Sequence, residues 1–254
     1  GRIARHTLRS EPARARILFN PGDHFLETLG NMMEDRGLLG GLLDFEPDDE
    51  RLFHAHELAR KAKISYEFAE LEQDSPYPAY ITFELTGRDG DTATLTAASM
   101  GGGMVKTARI DGFAVQWQAD THAVLAWSDA SSKDSLDAFA QALVTDAKTD
   151  LVALSPLKDE HGNPGVFIEF SRPPHLKDIE DAAEEHQGAG TRAPLEWRLL
   201  PALLPVVTTP DRQPQLFFDE RGWLAYAHEH DVSFVQAAIE YEKAFSGWTD
   251  QQIW

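Results

Sequence analysis

Three consecutive glycines, Gly101-Gly102-Gly103, stand between two runs with the composition of β-strands, Thr92 to Ala97 and Met104 to Ile110. Each glycine loses more backbone freedom on folding than any other residue. Three in a row therefore mark a sharp turn or a place where another surface comes close. A flexible strand-to-strand turn is the plain reading, and a meeting place for a second protein surface is the functional one.

The flanking sequence extends the same pattern. Tyr80 to Leu85 alternates, with Ile81, Phe83 and Leu85 on one side. Arg88-Asp89-Gly90-Asp91 then makes a hairpin turn, because Asp-Gly tolerates positive φ. Ile64 to Phe68 alternates as well, and Phe113 to Gln118 gives a further strand hinged on Asp111-Gly112. Upstream, Arg2 to Arg16 predicts a helix ending before Pro12, and Ile17-Leu18-Phe19 a short buried strand. Leu26, Leu29 and Met33 predict one apolar helix face, which Gly40-Gly41 interrupts. Asp48 and Asp49 are suited to cap a next helix with Leu52, Ala55, Leu58 and Ala59 as its stripe. Residues 1–120 thus predict a small α+β domain with helices early and a mostly antiparallel sheet late.

From His122 the order becomes β-α-β-β-α-β. It comprises a strand at 123–127, a helix carrying Leu136, Phe139, Ala140 and Leu143, strands at 150–154 and 166–170, a helix through Ile179, and a last extended segment from Trp197 to Val207. That order is the ferredoxin-like one. Pro205 to Pro214 predicts a linker. Two helices follow, Trp223 to His230 and Phe234 to Ala244, the second with Val235, Ala238 and Ile239 inward and Ser233 or Asp231 as its cap. Thr249 and Gln252 fit the capping box of a third.

Composition narrows function by exclusion. The 254 residues carry a net charge of −19, which argues against nucleic acid, whose phosphates call for a basic surface. No apolar run approaches the ~20 residues that span a bilayer, no secretory signal opens the chain, and a cytoplasmic location is expected. Gly1 stands where an initiator methionine would, as in a processed product or a piece of a longer chain. There is no cysteine, so disulfides, thiolate nucleophiles and Cys-ligated clusters are excluded within the chain. No phosphate loop, dinucleotide fingerprint or nucleophile elbow is present. His24 and Glu27, at i and i+3, are two metal-ligand types without a third. The pairs His54/His56 and His228/His230, at i and i+2, point to different helix faces and are read as exposed.

Three stretches resemble the iron–sulfur L-serine dehydratases, in that family's own order. The segment S-M-G-G-G-M-V-K-T-A-R-I-D-G-F-A-V resembles the close of their β-type domain, a fold related to the intervening domain of some phosphoglycerate dehydrogenases. G-R-I-A-R at the start and L-L-G-G-L-L-D-F-E-P-D-D-E-R at 38–51 add to it. Residues 121–207 resemble, by pattern, an ACT domain, a small-molecule-sensing module. W-L-A-Y-A-H-E-H-D-V-S-F-V-Q-A-A-I-E-Y-E, ending at Glu242, resembles the start of their α-type domain. The resemblance implies a β-type domain at 1–120, an ACT-like domain at 121–207, and a linker with helices at 208–254. It also implies deamination of L-serine to pyruvate by a [4Fe–4S] cluster acting as Lewis acid, at a site between β-type and α-type domains. This chain lacks cysteine, so the cluster belongs to an α-type partner, a separate chain or a further part of this one. A homodimer follows only by analogy.

The departures bear on chemistry. The family's Lys-Gly-His-Gly-Thr-Asp lies where this chain has Gly30-Asn31-Met32-Met33-Glu34-Asp35, and only Asp35 is kept. Its His-Pro-Asn corresponds to Tyr77-Pro78-Ala79, and the ACT-like loop Ser128-Asp129-Ala130-Ser131-Ser132 lacks the glycine that lets backbone approach an amino-acid effector. Absent lysine and histidines remove donors that hold a carboxylate or move a proton. The resemblance implies Asp35 and His24 as catalytic candidates, Gly101, Gly102, Gly103 and Met104 as the substrate-binding or interface segment, and Ser128 and Asp129 as the effector loop. Three readings follow: the β-type component of a serine-dehydratase-like lyase, a scaffold or regulatory subunit without its own chemistry, and a free-standing amino-acid sensor.

Overall fold

A computed structural model describes residues 1–22, 24–31, 33–72, 80–101, 104–129, 132–146, 150–186, 195–203, 216 and 219–246. Helix α1 (Arg2–Thr7) ends at Leu8, whose backbone is already extended. Strand β1 (Pro12–Phe19) is longer than its apolar triplet, because Ala15 and Ile17 point inward between outward Arg14 and Arg16.

Leu26, Leu29 and Met33 do not share a helix. Helix α2 (Phe25–Thr28) is a single turn, and left-handed backbone at Gly30 (φ +89°) and Met33 (φ 65°) re-aims the chain before α3 (Glu34–Leu42). Gly40-Gly41, expected to interrupt, lies inside α3. A Cβ on Gly41 would meet the Arg2 backbone nitrogen at 2.4 Å, and one on Gly40 would meet Leu52 Cδ2 at 2.2 Å. Close approach of α1 and Leu52 therefore outweighs the helix penalty of glycine, roughly 1 kcal/mol per residue. Asp49 accepts the Arg51 N–H at 2.9 Å and caps a 3-10 turn, Glu50–His54, that runs into α4 (Ala55–Lys61).

Strands β2 (Ser65–Glu70), β3 (Tyr80–Gly87), β4 (Thr92–Gly101), β5 (Met104–Ile110) and β6 (Phe113–Ala114) complete a six-stranded sheet in the order β2-β1-β3-β4-β5-β6. The β1–β2 pair is parallel and the others antiparallel. Phe83 and Leu85 face the core as the alternation requires. β6 is shorter than expected because the buried Thr107 hydroxyl enters the ladder. It donates to the Val115 carbonyl at 2.9 Å and accepts the Trp117 N–H at 2.9 Å.

The second half follows the β-α-β-β-α-β order: β7 (His122–Trp127), α5 (Lys133–Asp146), β8 (Leu151–Lys158), β9 (Pro164–Phe170), α6 (Leu176–Glu185) and β10 (Glu196–Leu200). Its antiparallel sheet runs β10-β7-β9-β8. Successive strand residues face opposite sides, and β7 is buried on both. Ala123 and Leu125 join Phe167 and Leu200 in a core shared with the first sheet, α1, α3 and α4. Val124 and Ala126 join Ile168 in a second core with Phe139 of α5 and Ile179 of α6. A buried ion pair ties β10 to the β5–β6 turn, with Arg198 Nε 3.1 Å from Asp111 Oδ2 but misaligned for a hydrogen bond. Burial pushes the Asp111 carboxyl above its ordinary value, and Arg198 opposes that shift without cancelling it.

Residues 1–205 form one compact unit and 206–254 a second. In the second, α7 (Glu220–Glu229) is capped by Asp219 and α8 (Phe234–Ser246) by Ser233, whose hydroxyl accepts the Gln236 N–H. Val235, expected inward, is 60% exposed, while Ala227, Ala237 and Ile239 are buried. Trp223 of α7 lies against Phe234 of α8 edge to face. The linker expected at 205–214 and the capping box at 249–252 lie outside the described residues. Among the described residues no helix is long and apolar enough to cross a membrane.

Candidate functional site

Asp35 sits in the first turn of α3, where a carboxylate suits the positive end of the helix dipole. The left-handed turn at Gly30 lays the chain against it, with the carboxylate oxygens 3.5 and 3.6 Å from where a Gly30 Cβ would be. Across from it, α4 presents His56. Ala55 and Ala59 bury the α4 face that packs on α3, and His56 follows Ala55 at the edge of that face. Tyr66 comes from β2, its ring packed edge-on to Phe68 at 5.8 Å.

These three side chains form a chain of hydrogen bonds. His56 Nε2 lies 2.5 Å from Asp35 Oδ2 and His56 Nδ1 lies 2.8 Å from the Tyr66 hydroxyl. An ionised carboxylate only accepts, so Nε2 carries a proton toward Asp35. In the neutral ring Nδ1 is then the acceptor of the Tyr66 O–H. The Asp35 side chain is 15% exposed and that of His56 32%. Burial raises the Asp35 carboxyl, but the hydrogen bond from His56, the Arg36 backbone N–H and both neighbouring positive groups together hold it below its ordinary value. Asp35 Oδ1 is buried and receives no well-formed hydrogen bond.

A separate cavity of about 390 Å³ lies between α1, α3 and the sheet, and Asp35, His56 and Tyr66 do not line it. Leu38 and Leu52 line it from the helix side, Phe83 and Leu95 from the sheet, and Arg2, Glu46 and Ser99 bring polar groups. Arg2 is held by Asp44 at 3.0 Å and Glu46 at 2.5 Å. Ser99 and Val105, in register across β4 and β5, carry the cavity wall toward the glycine run. A mostly apolar hollow with a few placed polar groups is the usual form of a small-molecule site.

The sequence candidates fall in different places. Asp35 is at the centre of the hydrogen-bonded chain. His24 is 73% exposed and pairs with Glu27 at 3.1 Å. Gly101 ends β4 opposite Met104, while Gly102 and Gly103 lie outside the described residues. Met100 and Met104, on either side of the run, are 58% and 53% exposed. Ser128 is buried, its hydroxyl donating to the Asp129 carbonyl at 3.2 Å.

His56 departs from the expectation that it is exposed. The i, i+2 spacing does separate His54 from His56, but it turns one outward and the other in. Leu52, four residues before, and Ala59, three after, are the signal that His56 shares their face. His228 and His230 are exposed as expected. Among the described residues no group of three His, Asp or Glu side chains converges as metal ligands do. With no cysteine in the chain, its own residues do not fit an iron–sulfur cluster.

No protein-family model matches the chain. Over 151 residues, 59% of this chain and 67% of the relative, it is 26% identical to the L-serine dehydratase beta chain of Peptoniphilus asaccharolyticus. Over 125 residues, 49% of this chain and 56% of the relative, it is 30% identical to the probable L-serine dehydratase beta chain of Bacillus subtilis strain 168. The match to these relatives thus spans between about half and two thirds of their length.

Proposed function

We propose that this chain is the β-type component of an L-serine-dehydratase-like ammonia-lyase, acting on serine or a related β-substituted amino acid with a cysteine-bearing α-type partner. The similarity to two chains named as L-serine dehydratase beta chains carries this reading. The geometry supports it in one respect: the acid kept from the family's motif, Asp35, is mostly buried and hydrogen-bonded to His56. Residues 1–120 are the β-type domain in this reading. The β10-β7-β9-β8 sheet with α5 and α6 is the ferredoxin-like, ACT-like domain at 121–207, with Ser128 and Asp129 in its effector loop. Residues 208–254 are the linker and the start of an α-type domain.

A [4Fe–4S] cluster would belong to the partner and supply Lewis acidity at the substrate hydroxyl. This chain would contribute the wall of the site, with Gly101 to Met104 as the segment the partner closes on and His24 as an outlying acid–base candidate. Met100 and Met104, both exposed, are available for such a contact. A non-catalytic scaffold is the second reading, favoured by the apolar methionines at 32 and 33 that stand where the family motif has polar residues.

Co-expression with a cysteine-rich α-type chain, anaerobic reconstitution with iron and sulfide, and assay of keto-acid release from serine and threonine tests both. Turnover that needs both chains supports the lyase. A stable complex without turnover supports the scaffold, and the absence of any complex overturns the two together.

A further inference from the structure

We infer that Asp35, His56 and Tyr66 form a proton relay whose open end is the Tyr66 hydroxyl, so that this chain carries an acid–base group of its own. The inference rests on the lyase reading for its substrate, a β-hydroxy amino acid, and on geometry for everything else. Three separate elements, α3, α4 and β2, converge on one hydrogen-bonded line, at 2.5 Å and 2.8 Å. Both imidazole nitrogens are engaged, which fixes the ring plane and the tautomer together. Asp35 does for His56 what the acid of a hydrolase triad does for its histidine: it orients the ring and stabilises the imidazolium when a proton arrives. Tyr66 takes the place of the nucleophile's hydroxyl, but a phenol there is suited to pass a proton.

The step balances as a transfer of one proton. As the Cα–H bond of the substrate breaks, its proton passes to Tyr66 Oη while the Tyr66 proton passes to His56 Nδ1. The electron pair of the broken bond remains on the substrate, and the new imidazolium lies against the Asp35 carboxylate. As that electron pair forms the Cα=Cβ bond the Cβ–O bond breaks, and delivery of the stored proton to the departing hydroxyl releases water and resets the relay. Asp35 and His56 are positioning and proton-storing residues, and Tyr66 is the one that meets substrate.

A purely structural network would hold the same distances without making the phenol reactive, and that difference can be measured on the full chain alone. The chain is treated with an arylsulfonyl fluoride, which captures activated tyrosine oxygens, and labelled positions are read by peptide mass spectrometry. Of its five tyrosines, Tyr66 is expected to label fastest, with base assistance of about 10²-fold. His56→Gln, which keeps a polar side chain but no basic nitrogen, and Asp35→Asn each bring Tyr66 to the rate of the other tyrosines, with the circular dichroism spectrum unchanged. Labelling of Tyr66 no faster than the rest, or fast labelling that survives His56→Gln, overturns the relay. In a complex that turns over serine, Tyr66→Phe lowers kcat about 10²-fold with little change in KM. Labelling needs no partner, so the relay and the lyase reading fail separately.

Discussion

Asp35→Asn is the substitution that bears on most of the proposed site at once. It keeps the shape of the side chain, removes the charge and leaves His56 Nε2 facing a neutral amide. What disappears is a charge-assisted hydrogen bond at 2.5 Å between side chains 15% and 32% exposed. Bonds to charged groups contribute roughly 1.5–3 kcal/mol. His56 keeps access to water, and solvent screening places the cost at the lower end, about 1.5 kcal/mol. Its pH dependence follows from the direction of the shift. The folded-state carboxyl titrates below its ordinary 3.8. It therefore stabilises the fold at pH values above that number and loses the contribution as pH falls through its lower folded value. Urea unfolding of the wild type and the variant, in steps from pH 7 toward pH 3, reads the difference directly. The gap should hold near its full size at neutral pH and close in the acid range. A second arm adds His56→Ala and the double variant, with a coupling energy of about 1 kcal/mol expected for groups in direct contact. A variant as stable as the wild type at pH 7, a gap that persists undiminished once the carboxylate is protonated, or zero coupling would rule out the charged Asp35–His56 pair.

Other outcomes follow from the same structure. Arg198→Met leaves Asp111 charged and buried without its partner and should cost about 3 kcal/mol at neutral pH. Burial already raises the Asp111 carboxyl, so this cost shrinks as pH falls and the group protonates, which denaturant titrations at pH 7 and pH 4.5 compare. Gly41→Ala places a methyl 2.4 Å from the Arg2 backbone nitrogen. Backbone cannot rotate away, and overpacking of about 1–3 kcal/mol should lower the melting temperature. Asp49→Ala removes the acceptor of the Arg51 N–H and should cost about 1 kcal/mol by urea unfolding, the usual effect of removing a cap.

Much of the sheet is legible in the sequence because strand signals are local. Met104–Ile110 agrees with its sequence pattern to the residue, and the Arg88–Asp91 hairpin follows from Asp-Gly chemistry alone. The departures share a cause, the contribution of distant residues. Gly40-Gly41 looks like a break until α1 and Leu52 are laid against it. β1 hides behind Arg14 and Arg16, whose side chains leave by its outer face. Thr107 shortens β6 through a hydroxyl bond that no propensity encodes. For the site, Asp35 is visible through a motif, but His56 and Tyr66 lie 21 and 31 positions further on and meet it only through packing. His56 is traceable from the apolar stripe of Leu52 and Ala59. Nothing local marks Tyr66, since an alternating strand places aromatics inward regardless of partner.

The proposed function has a cysteine-free chain supply part of an amino-acid lyase site to a cluster-bearing companion. The decisive experiment is keto-acid release from L-serine by the anaerobically reconstituted pair, with each chain assayed alone beside it. Turnover is expected only when both are present, falling about 10²-fold with Asp35→Asn. Full activity of the companion without this chain, or a reconstituted pair indifferent to Asp35, would overturn that division of labour.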